Sequence, residues 1–210
     1  MSRYTCLPPA RFLIAACAVT LLASCSDPTV PPSELRTTEQ LHFLRTRLDA
    51  PPLSSSMASF YAKRGSDRGV ALYYRPRAGS KDSTRLLDFR VPSGSLAQRP
   101  DGRPFAAGDS VLITIRVTDP TRMIIAFEPS GLRFSSASPA QLELSFSNAD
   151  DDVNDDGDVD VQDEEARTML SVWVQEAPGG LWAKVKSALF LDLRELQGGI
   201  AGFSGYAAAY

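Results

Sequence analysis

The residues of this chain whose types and spacing suit a chemical site lie in one acidic stretch. Residues 150–165, called the acidic loop below, hold ten of the chain's 25 Asp and Glu residues and no Lys or Arg. From Asp152 onward the sequence follows the twelve-residue pattern D-x-[DN]-x-[DN]-G, which places Gly157 at position 6. No other frame in this stretch puts a glycine there. The candidate metal ligands are Asp152, Asn154, Asp156, Asp158 through its backbone carbonyl, Asp160 and Asp163.

This pattern resembles the calcium loops of EF-hand proteins, and Asp163 at position 12, in place of the usual Glu, resembles the dockerin type. Calcium takes six to eight hard oxygen ligands at about 2.3–2.6 Å, and alternate residues of a tight loop direct such oxygens to one centre. Gly157 suits the sharp turn because glycine adopts a positive φ without steric cost. We therefore expect one calcium ion. Magnesium or another hard cation, and a solvated loop without a metal, are the alternatives.

The elements around the acidic loop determine what kind of calcium site it forms. Residues 141–146 alternate apolar and polar side chains as a strand does, so no entering helix is expected. No second loop of this kind occurs, which excludes a paired calcium sensor. The sequence predicts a single calcium-stabilised connection between two strands, with a short helix over residues 163–168 at its exit.

The rest of the composition excludes several classes of function. A 43% hydrophobic share rules out a disordered chain, and 22 Lys and Arg without basic runs argue against nucleic-acid binding. His42 is the chain's single histidine and lies before the predicted strands, so a Ser-His-Asp triad or a Cys-His catalytic pair is not expected. A zinc site is not expected either, because the chain has no cluster of Cys and His. We predict no enzymatic activity. The alternatives are a hydrolase using the carboxylates Glu128, Glu143, Asp192 and Glu195, or a sugar-binding surface built on Trp173 and Trp182.

The N-terminal residues have the pattern of an export signal. Arg3 and Arg11 precede an apolar run over residues 12–23, which is shorter than the roughly 20 residues of a spanning helix. The four residues Leu22-Ala23-Ser24-Cys25 resemble the bacterial lipobox. That resemblance implies cleavage before Cys25, acylation of Cys25 and attachment to the lipid bilayer. Ser26, rather than Asp, favours the outer membrane in a Gram-negative cell.

The mature chain is predicted to have two parts. Residues 25–56 comprise the lipidated cysteine, a Pro-rich tether and a short helix within residues 35–49, which either packs on the domain or extends the tether. Residues 57–210 form the folded domain. Cys6 and Cys17 leave with the signal peptide over residues 1–24, so no disulfide is expected.

From residue 57 onward the chain has a sequence pattern typical of an antiparallel β-sandwich. Short apolar or alternating runs are separated by turn residues such as Pro100-Asp101-Gly102 and Pro178-Gly179-Gly180. A mainly β fold with little helix follows. The predicted strands cover residues 58–63, 70–75, 86–91, 111–117, 123–127, 141–146, 169–175, 182–187 and 200–207.

Several of these segments resemble ZU5 domains, a family of β-sandwich modules. The resemblance lies in Val91-Pro92-Ser93-Gly94-Ser95-Leu96, in the run from Phe127 to Phe134 and in the order of the C-terminal motifs, over residues 84–207. It implies a ZU5-like sandwich with a binding or architectural role. Some ZU5 proteins cleave themselves at a His-Phe-Ser site, but here the histidine is replaced in Gly202-Phe203-Ser204, so cleavage is not expected.

Taken together, these patterns predict an exported lipoprotein anchored to the bacterial cell envelope. Its domain is expected to be a non-enzymatic binding or structural module stabilised by calcium, with an envelope protein or a glycan as its partner. A carbohydrate- or polymer-binding accessory module is the first alternative, and an unrecognised hydrolase is the second. The sequence leaves the oligomeric state open.

Overall fold

The computed structural model describes residues 34–210, and within them it is a mainly β fold with antiparallel pairing, which confirms the predicted β-sandwich. The predicted signal peptide, Cys25 and most of the tether lie outside the described residues. The strands are β1 (Leu35–Arg36), β2 (Met57–Lys63), β3 (Arg68–Tyr73), β4 (Arg85–Val91), β5 (Leu96–Gln98), β6 (Ser110–Asp119), β7 (Ile124–Glu128), β8 (Arg133–Phe134), β9 (Ala140–Ser145), β10 (Ser171–Gln175), β11 (Trp182–Lys184), β12 (Ser187–Phe190), β13 (Glu195–Ile200) and β14 (Gly205–Ala209), with one α-helix, α1 (Val161–Met169).

Two larger sheets form the layers of the sandwich. The seven-stranded sheet has the order β1-β11-β10-β14-β7-β6-β2, and the five-stranded sheet has the order β12-β13-β9-β4-β3. A two-stranded ribbon pairs β5 with β8. Some turns join neighbouring strands of one sheet, such as β3 to β4 and β6 to β7, and other connections carry the chain across the core from one sheet to the other. The acidic loop is one such crossing, from β9 to β10.

The sheets pair because each buries an apolar face. In β6 the residues Ile113, Ile115 and Val117 are buried, while Thr114 and Arg116 face outward. This alternation places one side chain in two in the core, as expected for a strand with one solvated face. The centre of the core is aromatic: the Phe89 ring lies 5.0 Å from that of Phe127 and within 6.3 Å of those of Phe60, Phe134 and Phe203.

The segment between the tether and β2 differs from the predicted helix. A short helical element is present, but it is one 3-10 turn, Thr38–Gln40, and the residues around it are extended. β1 pairs with β11, and His42 and Tyr210 exchange backbone hydrogen bonds of 3.3 and 3.2 Å. The sandwich therefore includes residues from the part predicted to precede it. Extended backbone is favoured here because it fills the hydrogen-bonding positions left open beside β11 and β14.

The apolar residues of this segment cover the outer face of the seven-stranded sheet. Leu41 and Phe43 pack there on Trp173, Trp182, Ala207 and Ala209. The two tryptophans are 4% and 2% exposed. They belong to a second, smaller core, as their apolar neighbours indicate, and offer no open sugar-stacking surface.

The C-terminal strands are placed differently from the prediction. The predicted strand over residues 200–207 is divided between β13, which ends at Ile200, and β14, which begins at Gly205. Phe203 lies in the connection and is buried in the aromatic core. A run of small and aromatic residues does not reveal where a chain leaves one sheet for the other.

The sandwich has two ends, and the acidic loop lies at one of them, the loop end. At this end β6 turns into β7, with Asp119 opposite Ile124, and β14 finishes beside the start of β10, with Ala209 opposite Ser171. The opposite end carries the β2–β3 turn and the start of β6, where Lys63 lies opposite Ser110. Within residues 34–210, no helix is long and apolar enough to span a membrane.

Candidate functional site

The acidic loop leaves β9 and is fixed to the sandwich at both of its sides. Val153 is buried in the main core, and Asp150 donates a backbone N–H to the carbonyl of Arg45 at 2.7 Å. The loop ends in α1, which confirms the short exit helix predicted from the sequence. Asp160 caps this helix, since its carboxylate accepts the N–H of Gln162 at 2.7 Å. The helix N-terminus thus contributes to the shape of the loop.

The first half of the acidic loop is a tight turn around the Asp152 carboxylate. Its two oxygens accept the N–H groups of Asp156 at 3.2 Å and of Gly157 at 2.9 Å. Asn154 accepts from Asp156 N–H at 3.1 Å, and Asp156 from Asp158 N–H at 3.0 Å. Gly157 has a φ of +95°, as the position-6 turn requires. The predicted ligands at positions 1, 3 and 5 are therefore brought into one turn.

Asp163, the predicted ligand at position 12, is the most enclosed of these residues. It is fully buried although it is the third residue of α1. Its carboxylate accepts backbone N–H groups from Val153 at 2.6 Å, Asn154 at 3.1 Å and Asp160 at 2.9 Å. The hydrogen bond from Asp160 is the largest of the causes that hold the pKa of this carboxyl below its usual value, so Asp163 stays ionised. It joins the beginning of the acidic loop to its end.

Arginines from other segments pair with the outward-facing acids of the acidic loop. Arg45 lies 2.5 Å from the Asp155 carboxylate, and Arg194 pairs with Asp151. Arg167 of α1 donates to the Asp151 carbonyl at 2.7 Å and pairs with Glu164 at 2.5 Å. The sequence does not identify Arg45 and Arg194 as partners, because they lie 110 and 43 residues from Asp155 and Asp151 along the chain, whereas Arg167 follows Glu164 by one helical turn. Their only signal in the sequence is that the remainder of the chain is basic.

The donor set of the acidic loop fits a hard divalent cation by residue type and by register. The oxygens of Asp152, Asn154 and Asp156 surround one turn, and the buried Asp163 closes it. These oxygens are bonded to the loop's own N–H groups, and across residues 34–210 no three His, Cys, Asp or Glu side chains are grouped to hold a metal. Asp158 and Asp160 are exposed. To hold an ion, these side chains would therefore have to move closer together, while their remaining lone pairs can still accept the N–H groups.

A second polar feature is a groove of about 540 Å³ on the outer face of the five-stranded sheet. Asp88 and Arg90 of β4, which pair at 3.0 Å, and Gln141 of β9 line it, together with the Gly69 backbone on the edge strand β3. A Cβ at position 69 would lie 2.7 Å from the Phe89 carbonyl, so glycine permits the close strand approach there. The outward polar positions of β4 and β9 are visible in the sequence. Their meeting in one groove is not.

The remaining candidate residues line neither feature, although Arg85, which pairs with two of them, also pairs with Asp88 of the groove at 3.5 Å. Glu143 and Glu195, two of the four candidate carboxylates, both pair with Arg85, at 3.1 and 2.6 Å, in a network that joins β4, β9 and β13. Partial desolvation lowers the pKa of Arg85, but the hydrogen bond to Glu195 and the charges of the nearby carboxylates outweigh it, so the pKa is raised. Glu128 ends β7, and Asp192 lies in the β12–β13 turn. His42 stacks on Tyr210 at 5.1 Å.

Comparison with known proteins found no relative of this chain. No family model matches it, and it has no match among the curated proteins or the solved structures. The resemblance to ZU5 domains and to calcium loops therefore rests on the sequence motifs themselves.

Proposed function

We propose that the chain is a bacterial cell-envelope lipoprotein whose sandwich is a non-enzymatic binding or structural module with one calcium ion in the acidic loop. The observation that carries the calcium site is the loop register: Gly157 turns with φ +95° at position 6 while Asp152 holds the N–H groups of residues 156 and 157. The resemblance of Leu22-Ala23-Ser24-Cys25 to a lipobox supports the anchor. The ZU5-like motifs support a binding or architectural role.

The chain's own residues supply hard oxygens and a rigid frame. Asp152, Asn154, Asp156 and Asp163 would hold the ion, with the Asp158 carbonyl and Asp160 as the remaining donors. Bound calcium supplies positive charge that offsets the repulsion among these acids. Val153 and α1 keep the two halves of the loop in place, since both pack on the core. The role of the ion is structural in this proposal.

Calcium titration of the mature protein tests the site. Terbium luminescence and calorimetry should give one binding site, lost when Asp152→Ala is combined with Asp156→Ala. Asp101→Ala is the matched control, because Asp101 also accepts a backbone N–H in a turn, from Arg103 at 3.0 Å, but lies outside the acidic loop. Calcium should raise the melting temperature of the parent and of the control. A melting temperature that is unchanged by calcium and by chelator would contradict the proposal.

The lipid anchor is tested separately from the ion. The full chain expressed in a Gram-negative host should partition into detergent phase, and mass spectrometry should show acyl chains on Cys25. Cys25→Ser should move the protein to the aqueous phase with its sandwich intact. Aqueous partition of the parent chain would refute the anchor.

The groove on the five-stranded sheet favours a second candidate, binding of an envelope glycan or polymer. Carboxylate, guanidinium and amide groups pair well with hydroxyl groups, and Asp88, Arg90 and Gln141 present all three along the groove. Arg90→Ala should abolish binding in a glycan array. Arg103→Ala is the control. Arg103 makes an equivalent ion pair with Asp101, in which the nitrogen and the oxygen are 2.5 Å apart, and this pair lies outside the groove. Equal loss in both variants would exclude the groove.

A further inference from the structure

Seven of the twelve large hydrophobic residues that are exposed within residues 34–210 lie at the loop end of the sandwich, beside the acidic loop. Of the other five, Leu181 lies in a turn at the opposite end, and Met57, Tyr61, Tyr73 and Leu112 lie within β2, β3 and β6. Leu48 is fully exposed and Leu193 is 62% exposed. The exposed apolar residues at the loop end are Leu48, Val159, Val161, Met169, Phe190, Leu191 and Leu193.

These residues belong to segments that contact one another. The pair between Arg194 and Asp151 joins the β12–β13 turn to the acidic loop. The pair between Arg45 and Asp155 joins the segment before Leu48 to the same loop. The Phe146 N–H also donates to the Arg194 carbonyl at 2.8 Å. The turn that holds Leu191 and Leu193, the acidic loop and residues 45–49 therefore form one surface.

The chain also enters the sandwich from this end. In β1, Leu35 lies opposite Ala183 and Arg36 opposite Trp182. Along β11 the chain runs toward the loop end, because Trp182 lies opposite Gln175 at the end of β10 and Lys184 opposite Trp173 in its middle. Glu34 therefore precedes β1 on the side of the loop end. Eight residues separate Cys25 from Glu34, and eight extended residues reach about 28 Å at most. The ten residues of β6 alone span about 33 Å. A tether shorter than the sandwich that enters β1 on the side of the loop end therefore favours the orientation with the loop end toward the bilayer.

We propose that the loop end docks on the bilayer that holds the Cys25 anchor, with Phe190, Leu191 and Leu193 at the hydrocarbon boundary. This inference rests on the lipoprotein assignment. Exposed apolar side chains at the end of the domain that receives the tether match a lipid surface, because the interface accepts apolar side chains beside polar ones. The acidic loop favours phosphatidylethanolamine, whose ammonium group attracts carboxylates and balances its phosphate, over headgroups of net negative charge, which repel them.

Single-cysteine labelling of the full, lipidated chain tests this orientation. The mature sequence has no cysteine besides Cys25, whose thiol is acylated in the proposal. Leu193→Cys carries an environment-sensitive fluorophore at the loop end, and Ala107→Cys carries it at the opposite end, before β6. Both positions are exposed. The proteins are reconstituted in phosphatidylethanolamine vesicles with a minor fraction of phosphatidylglycerol and brominated acyl chains.

Docking predicts that brominated lipid removes most of the fluorescence at position 193 and little at position 107. Leu191→Asp in the Leu193→Cys protein should restore the fluorescence without releasing the protein from the vesicles. Equal quenching at the two positions in anchored protein overturns the docking while leaving the lipoprotein assignment intact. If lipid does not quench the fluorophore and two copies of the unlabelled Leu193→Cys protein form a disulfide, the surface belongs to a second copy and the docking is also overturned. Protein that does not stay on the vesicles refutes the lipoprotein assignment and the inference with it.

Discussion

Replacing Phe43 by alanine tests whether the segment before β2 is part of the sandwich. Phe43 is buried on the outer face of the seven-stranded sheet, where its ring meets that of Trp182 edge to face at 5.2 Å. It also pairs along the backbone with Ala209 of β14. The point matters for function, because this segment joins β1 and the tether to the sandwich and so limits the distance between the domain and its anchor.

The size of the effect follows from what the side chain covers. Truncation of a core phenylalanine to alanine costs about 3–5 kcal/mol. Phe43 lies in the smaller core near the surface, so we expect a loss at the lower limit, about 3 kcal/mol. For a domain of this size each kcal/mol lowers the melting temperature by about 2–4 °C, which gives a shift of about 6–12 °C.

The chain offers a direct optical assay for this change. Its two tryptophans, Trp173 and Trp182, both lie under Leu41 and Phe43. Phe43→Ala should therefore shift the tryptophan emission to longer wavelength, together with the loss of stability measured by urea unfolding. Tyr61→Ala is the control, since Tyr61 is exposed on the same sheet and its truncation should cost less than about 0.5 kcal/mol. Unchanged emission and stability in Phe43→Ala would refute the packing of this segment.

Three further changes test other parts of the molecule. Gly157→Ala should lower calcium affinity and cost about 1 kcal/mol of stability. Gly65→Ala is its control, because Gly65 has a similar φ of +92° and equally open space around it, and it should lower stability alone. Equal calcium affinities of the two variants in calorimetry would contradict this prediction. Burial raises the pKa of Tyr206, so the native phenol stays protonated where the unfolded chain ionises. The free energy of unfolding should therefore be constant below about pH 10 and fall above it, and urea unfolding should show a smaller fall in Tyr206→Phe. The same dependence on pH in the parent and in Tyr206→Phe would contradict this prediction. Arg194→Gln should leave calcium affinity within twofold, because Asp151, its partner, precedes the ligand positions; a larger change would oppose this ligand assignment.

The sequence was most informative where one face of a strand is buried. β2, β4, β6, β7 and β9 lie within a residue or two of their predicted limits, because alternation of apolar and polar side chains marks such strands. β12 was missed because it is only four residues long, and β13 because it contains Gly198 and Gly199, a residue type that is depleted in strands. The extended structure before β2 was missed because Leu41, Phe43 and Leu44 satisfy helical spacing, while the partner that selects strand geometry, β14, lies about 160 residues later in the chain.

At the acidic loop the local pattern was sufficient and the long-range pairing was not. The turn at Gly157 and the helix after Asp160 depend on neighbours within the loop, so the motif predicted both. The burial of Asp163 depends on contacts with Val153 and Asn154 on the other side of the loop. The arginines that pair with the loop come from three segments, and nothing in their local sequence distinguishes them from other surface arginines.

The acids of this loop are divided between two kinds of partner, and the division supports the calcium proposal. Asp151, Asp155 and Glu164 pair with Arg194, Arg45 and Arg167, and none of the three occupies a ligand position of the twelve-residue pattern. The acids at positions 1, 5 and 12 instead accept N–H groups within the loop. A cation inside the loop would therefore not compete with the arginines outside it. Because the arginine pairs connect the loop to residues 45–49 and to the β12–β13 turn, an ion that orders the loop would also order the surface proposed to face the bilayer.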